Sequence, residues 1–133
     1  MLTSLVGSEM CIRDRHQVFC RIHVEDIAGA CLHLIHKAAS GHAPPIVNVT
    51  DNEPTPSAEL LEFAAELLGC NLPAEESYAD ASQTMSAMAQ SFWSENRRVS
   101  NRLLCKELGY TLLHPNYRNG LQDCLKQEHH QNV

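Results

Sequence analysis

The strongest constraint on the fold is a single aliphatic stripe followed at short distance by a β-branched run. Placed on a helix at about 100° per residue, Val24, Ile27, Cys31, Leu34, Ile35 and Ala38 share one face. His33 and His36 fall on the opposite, solvated side. They stand one turn apart, but no third ligand is placed to join them on a metal. Before the helix, Gln17 to His23 reads as a short strand or extended lead-in. After it, the loop Gly41 to Pro45 leads into Ile46 to Val49, a strand by its β-branched content. Strand, helix and strand in that order call for a parallel sheet, and a parallel sheet needs several strands and cover on both faces. The stripe therefore expects a larger sheet as its partner.

The rest of the chain is mostly helical. Asp51-Asn52-Glu53-Pro54 is turn chemistry, and Thr55 is placed to cap a helix with Pro56 at its first position. Ser57 to Leu68 carries Leu60, Leu61, Ala64, Leu67 and Leu68 on one face, widened by Phe63, and Gly69 ends it. Asn71 to Thr84 reads as a polar connection, and Met85 to Phe92 as a short helical turn. Ser100 is placed to cap Asn101 to Leu108, which Gly109 closes. Asn116 is placed to cap a last helix with Tyr117, Leu121, Cys124 and Leu125 on its face, and Gln127 to Val133 is a polar, fraying tail.

Composition excludes several classes. At 133 residues the chain is one domain's worth, and its net charge of -6 gives no electrostatic reason to hold nucleic acid or an anionic membrane. No apolar run approaches the ~18 to 20 residues of a membrane span. The six cysteines form no CxxC pair, which fits free thiols in a reducing cytoplasm. Met1 to Arg15 has neither the apolar core of a signal peptide nor a helix or strand period. It resembles the conceptual translation of a transposon-based sequencing adapter, and a disordered leader is the other reading. Either way it is expected to pack against nothing, with the protein proper running from residue 16 to residue 126.

Three stretches carry a family resemblance. They are Arg21-Ile22-His23-Val24-Glu25-Asp26-Ile27-Ala28, then Asn48-Val49-Thr50-Asp51-Asn52-Glu53-Pro54, then Ser86 to Phe92 with Glu95-Asn96-Arg97-Arg98-Val99-Ser100-Asn101. With Glu107-Leu108-Gly109-Tyr110 and Tyr117-Arg118-Asn119-Gly120-Leu121 they resemble, in order, the C-terminal portion of an extended or atypical short-chain dehydrogenase/reductase of the NAD-dependent epimerase/dehydratase superfamily. The resemblance implies an α/β fold, namely the C-terminal fragment of a Rossmann-type doubly wound sheet. It would be a mostly helical substrate lobe with two or three short strands.

It implies an intact parent that uses NAD or NADP on a small-molecule substrate and leaves homo-oligomer formation open. The sequence has no Gly-x-Gly-x-x-Gly turn and no Tyr-x-x-x-Lys pair. The chain alone is therefore expected to bind neither cofactor, to hold no metal and to be inactive. A non-catalytic, NAD(P)-responsive regulatory module of the same superfamily is the alternative.

Candidate substrate contacts are Arg21, His23, Met88, Asn96 and Arg98. His23 stands where the family's strand runs into its helix, and an imidazole there donates or accepts hydrogen bonds. A guanidinium at Arg21 or Arg98 suits a carboxylate or phosphate. Arg97 is a solvated neighbour, and Met85, Met88, Phe92 and Trp93 read as core packing, with an apolar pocket wall as the alternative. Asp26 reads as a helix cap. Sugar-nucleotide epimerases carry an Arg four residues before this His, where the present chain has Phe19, a departure from a nucleotide-sugar site.

Overall fold

The computed structural model describes residues 11, 12 and 16–132. Its elements in chain order are β1 (Cys11–Ile12), α1 (Val24–Ala39), α2 (Ser57–Leu68), β2 (Glu75–Glu76), α3 (Tyr78–Thr84), α4 (Ala87–Ser94), a π-helical turn (Leu103–Glu107) and α5 (Tyr117–Gln131). They form two compact bodies. One holds the described residues up to Phe19, with Thr55–Arg97 and the chain from Leu121 on; the other holds Cys20–Pro54 and Arg98–Gly120.

In the first body, α2 is the centre. Its N-cap is Pro56, without a side-chain cap, so Thr55 does not take the role its sequence suggests. Thr55 is instead buried and bridged to Phe19 by two antiparallel backbone hydrogen bonds of 3.0 and 3.1 Å. That bridge is all that forms of the strand expected from Gln17 to His23 among the described residues. Gly69 ends α2 in the left-handed region at φ 63°, as its placement predicts. Ala64 and Ala65 pack with Leu68 and Leu121, and Leu61 and Ala58 pack with Cys11.

Cys11 and Ile12 depart from the expectation for the leader. Both are buried, and β1 pairs in parallel with Glu75–Glu76. The reason is local: two consecutive apolar residues close a gap beside α2, a signal too short to register as a period. The rest of Met1 to Arg15 lies outside the described residues, as does Val133.

The polar connection also holds more structure than its composition suggests. Ser77 caps α3, its hydroxyl accepting from the Asp80 amide at 3.1 Å, and Ser86 caps α4 through the Ala89 amide at 3.2 Å. Trp93 closes this region, edge-on to Phe19 at 5.4 Å and 6.1 Å from the Tyr78 ring. The polar tail is helical to Gln131 rather than frayed, with Gln127 donating to Asp123 one turn back at 2.7 Å.

In the second body, α1 turns an unexpected face inward. Asp26 and Ala30 are buried, and His33 bonds the Leu108 carbonyl at 2.6 Å. The solvated role expected for His33 is therefore wrong: the π-helical turn, ending in buried Leu108, brings a carbonyl to it from 75 residues away. The aliphatic stripe lies largely outside, with Val24 69%, Ile27 44% and Ile35 63% exposed.

Ile46 to Val49 finds no strand partner among the described residues, with Ile46 79% exposed. Pairing requires a neighbouring strand, and none is described beside it. The Asp51–Pro54 turn is anchored instead by side chains and single amides. Arg21 O accepts from the Asp51 amide (2.7 Å) and the Thr50 hydroxyl (3.1 Å), and Asn101 Nδ2 reaches Thr50 O and Asn52 Oδ1.

Candidate functional site

The N-terminal turn of α1 gathers the densest polar chemistry of the second body. His23 is the N-cap, with extended backbone and its Nδ1 accepting the Glu25 amide proton at 3.0 Å. Asp26, read from sequence as the cap, is freed for another task because His23 already fills that position. Its fully buried carboxylate accepts the Tyr110 hydroxyl at 2.9 Å, the Leu113 amide at 2.7 Å and the His114 amide at 2.9 Å. Three donors satisfy this buried carboxylate.

The clamp delivers His114 to the same turn. Its ring stacks on His23, centroids 3.9 Å apart and planes 28° off parallel. Its Nε2 lies 3.0 Å from a Glu25 carboxylate oxygen. Gly120 lies against the edge of the His23 ring, where an added Cβ would stand 3.2 Å from Cδ2. Two imidazoles and a carboxylate thus converge within one helical turn. Such a set can exchange protons and can offer nitrogen and oxygen lone pairs to a ligand.

Burial and the Asp26 carboxylate act together on the Tyr110 phenol. Desolvation first, then the hydrogen bond and charge of Asp26, push its pKa up to about 12. Burial also raises the Asp51 carboxyl above its usual value; the amide bond from Glu53 and the charge of Arg21 oppose it only in part. Glu53 in turn accepts from Arg118 at 2.9 and 3.0 Å, and the same guanidinium covers the Tyr117 ring at 4.5 Å.

The residues singled out in sequence are divided between the bodies. Arg21, His23 and Arg98 belong to the second, Met88 and Asn96 to the first. Arg21 serves the fold through its carbonyl and lends its charge to Asp51. Asn96 Oδ1 accepts the Val18 amide at 3.1 Å, a structural role. Arg98 is exposed, and so is Met88, with Phe92 beside it one turn on. Arg97 pairs with Glu95 at 3.0 Å on the surface, where such a pair contributes little. Sequence reading missed His114 altogether. Its only signal is the His-Pro-Asn run before α5, which reads as a turn; the stacking on His23 spans 91 positions and leaves no local trace.

No family model matches the chain. It is similar to a 3-diazoavenalumate denitrifying reductase from a Streptomyces species, 30% identical over 100 residues that make up 75% of this chain and 32% of that protein. A solved structure, that of a functionally unknown conserved protein from Silicibacter pomeroyi, superposes with a TM-score of 0.79 at 38% identity, covering 93% of this chain and 43% of that one. The chain thus spans about a third of the reductase and under half of the solved relative. Of these two, the Streptomyces protein is the one named as a reductase. Among the described residues no helix is long and apolar enough to cross a membrane.

Proposed function

We propose that the chain is the substrate-side part of an NAD(P)-dependent oxidoreductase of the short-chain dehydrogenase type. The observation that carries the reading is the outward aliphatic stripe of α1. A helix that packs its Asp26, Ala30 and His33 side within its own body and leaves Val24, Ile27 and Ile35 bare is built for cover on two sides. A flanking helix of a doubly wound sheet has that character. The relationship to a reductase supplies the chemistry, and the partial span of both relatives leaves room for the sheet.

The nicotinamide cofactor is assigned to that other part. The N-termini of α1, α2 and α3 do not suit a pyrophosphate, since α1 carries Glu25 and Asp26 in its first turn, α2 carries Glu59 and α3 carries Asp80, and the sequence has no glycine-rich phosphate turn. Exposed Arg98 is the residue proposed to meet substrate, its guanidinium suited to an anionic group.

The test mixes the chain with a polypeptide comprising the remainder of the Streptomyces reductase and follows nicotinamide absorbance with that reductase's substrate. Oxidation of NADH or NADPH by the mixture, and by neither partner alone, is the expected result. Micromolar cofactor binding by the chain alone, or a stable pair that leaves the cofactor untouched, would contradict the reading.

A further inference from the structure

We propose that His23, Glu25 and His114 form a site for a borderline divalent cation of the Zn²⁺ type. Their ligand atoms all lie within 4.8 Å of one another. Two imidazoles and one carboxylate are a ligand set found on zinc with a fourth position open. Imidazole nitrogen favours Zn²⁺, Cu²⁺ or Ni²⁺, whereas Mg²⁺ and Ca²⁺ require oxygen donors. The site does not depend on the oxidoreductase reading.

The backbone that carries the ligands is fixed before any cation arrives. His23 and Glu25 sit two residues apart at the start of α1, and His114 is fixed to the same turn because Asp26 takes the amides of both Leu113 and His114. Asp26 is thus a positioning residue for the third ligand. The His114 side chain is largely buried and Glu25 is half-exposed, so the cluster opens toward solvent on the carboxylate side.

Binding requires a defined rearrangement. In a face-to-face stack the two rings point their lone pairs along nearly parallel planes, and His23 Nδ1 is engaged with the Glu25 amide. An imidazole that gives one lone pair to a cation and keeps one proton cannot also accept that amide proton. The cap hydrogen bond is therefore exchanged for a coordinate bond, and the Glu25 carboxylate moves from His114 to the cation. Each ligand must be deprotonated at its donor atom, so affinity falls as the pH is lowered.

The experiment titrates the full chain with Zn²⁺ by calorimetry and with Co²⁺ by absorption spectroscopy. The expected result is one cation per chain, unaffected by excess Mg²⁺, with cobalt ligand-field bands and no thiolate charge-transfer band from the six free cysteines. Glu25→Gln and His114→Ala are each expected to weaken binding roughly tenfold or more, since even the loss of outer-shell partners commonly costs ~10- to 100-fold. A His129→Ala/His130→Ala variant is expected to bind as before. Undiminished binding in Glu25→Gln, a dominant thiolate band, loss of binding in the tail variant, or no binding at all would overturn the proposal. Circular dichroism identifies a His114→Ala protein that has failed to fold, in which case Glu25→Gln, altered at a half-exposed side chain, decides.

Discussion

The Asp26 carboxylate accepts the backbone amide of His114 at 2.9 Å, across 88 residues of sequence. With the Leu113 amide and the Tyr110 hydroxyl on its other oxygen, it joins the first turn of α1 to the segment before α5. Asp26→Asn keeps one acceptor oxygen and puts an NH2 donor in place of the other, so one of the two backbone amides is left buried facing a donor. It is expected to cost about 3 kcal/mol in urea unfolding. Tyr110→Phe, which removes one donor, is expected to cost about 1 kcal/mol. The double variant should fall short of the sum, because both changes act on one network.

Tyr110 also gives the chain an alkaline limit. The folded phenol keeps its proton to about pH 12, against about 10 when unfolded. Folding therefore favours the protonated form, and that stability is fully present below pH 10 and lost as the pH rises toward 12. Phenolate absorbance should show one tyrosine ionising late, and Tyr110→Phe should flatten the loss of stability between those values. A wild-type protein whose three tyrosines all titrate together near pH 10 would contradict this.

Gly29 separates helix propensity from packing. Alanine is the better helix former by roughly 1 kcal/mol, yet a Cβ at Gly29 would collide with the Tyr110 hydroxyl that Asp26 holds in place. Gly29→Ala should therefore destabilise, by about 1 to 3 kcal/mol. In a Tyr110→Phe background much of that cost should vanish, since the closest contact is the hydroxyl oxygen. A stabilising Gly29→Ala in the wild type would show that the tyrosine yields easily.

The elements legible in sequence are those whose signals are local. α2 is announced by a continuous apolar face between Pro56 and Gly69, and α1 by its stripe. The sequence reading finds that stripe and expects it to need a partner, but takes the opposite side, with His33, as solvated. Periodicity shows which side of a helix is apolar and not which side this chain covers. α3 is hidden because Ser77 and Asp80, its capping pair, sit in a run whose composition reads as loop. The Ile46 to Val49 strand finds no partner among the described residues for the opposite reason: its local preference is clear, but a ladder depends on distant residues. The His23–His114 stack lies furthest beyond reach, since a turn histidine acquires its meaning only when Asp26 brings it back to α1.

The stripe and the core should respond differently to substitution. Ile27→Asp and Ile35→Asp change exposed positions and should alter the stability of the chain by no more than about 0.5 kcal/mol each. Leu61→Ala, at a site 2% exposed, should cost about 2 to 5 kcal/mol. Comparable losses in chemical unfolding at all three positions would mean that α1 is already covered.

Sedimentation equilibrium tests the central claim most directly. Covering Val24, Ile27 and Ile35 stabilises a complex by ~1.5 to 3 kcal/mol for each side chain fully buried, enough for the outward face of α1 to decide association. The chain is mixed with the part of the Silicibacter pomeroyi relative that it does not match. The account predicts a one-to-one complex that Ile27→Asp/Ile35→Asp abolishes while leaving the chain folded. No complex, or one that the double variant forms equally well, would contradict it.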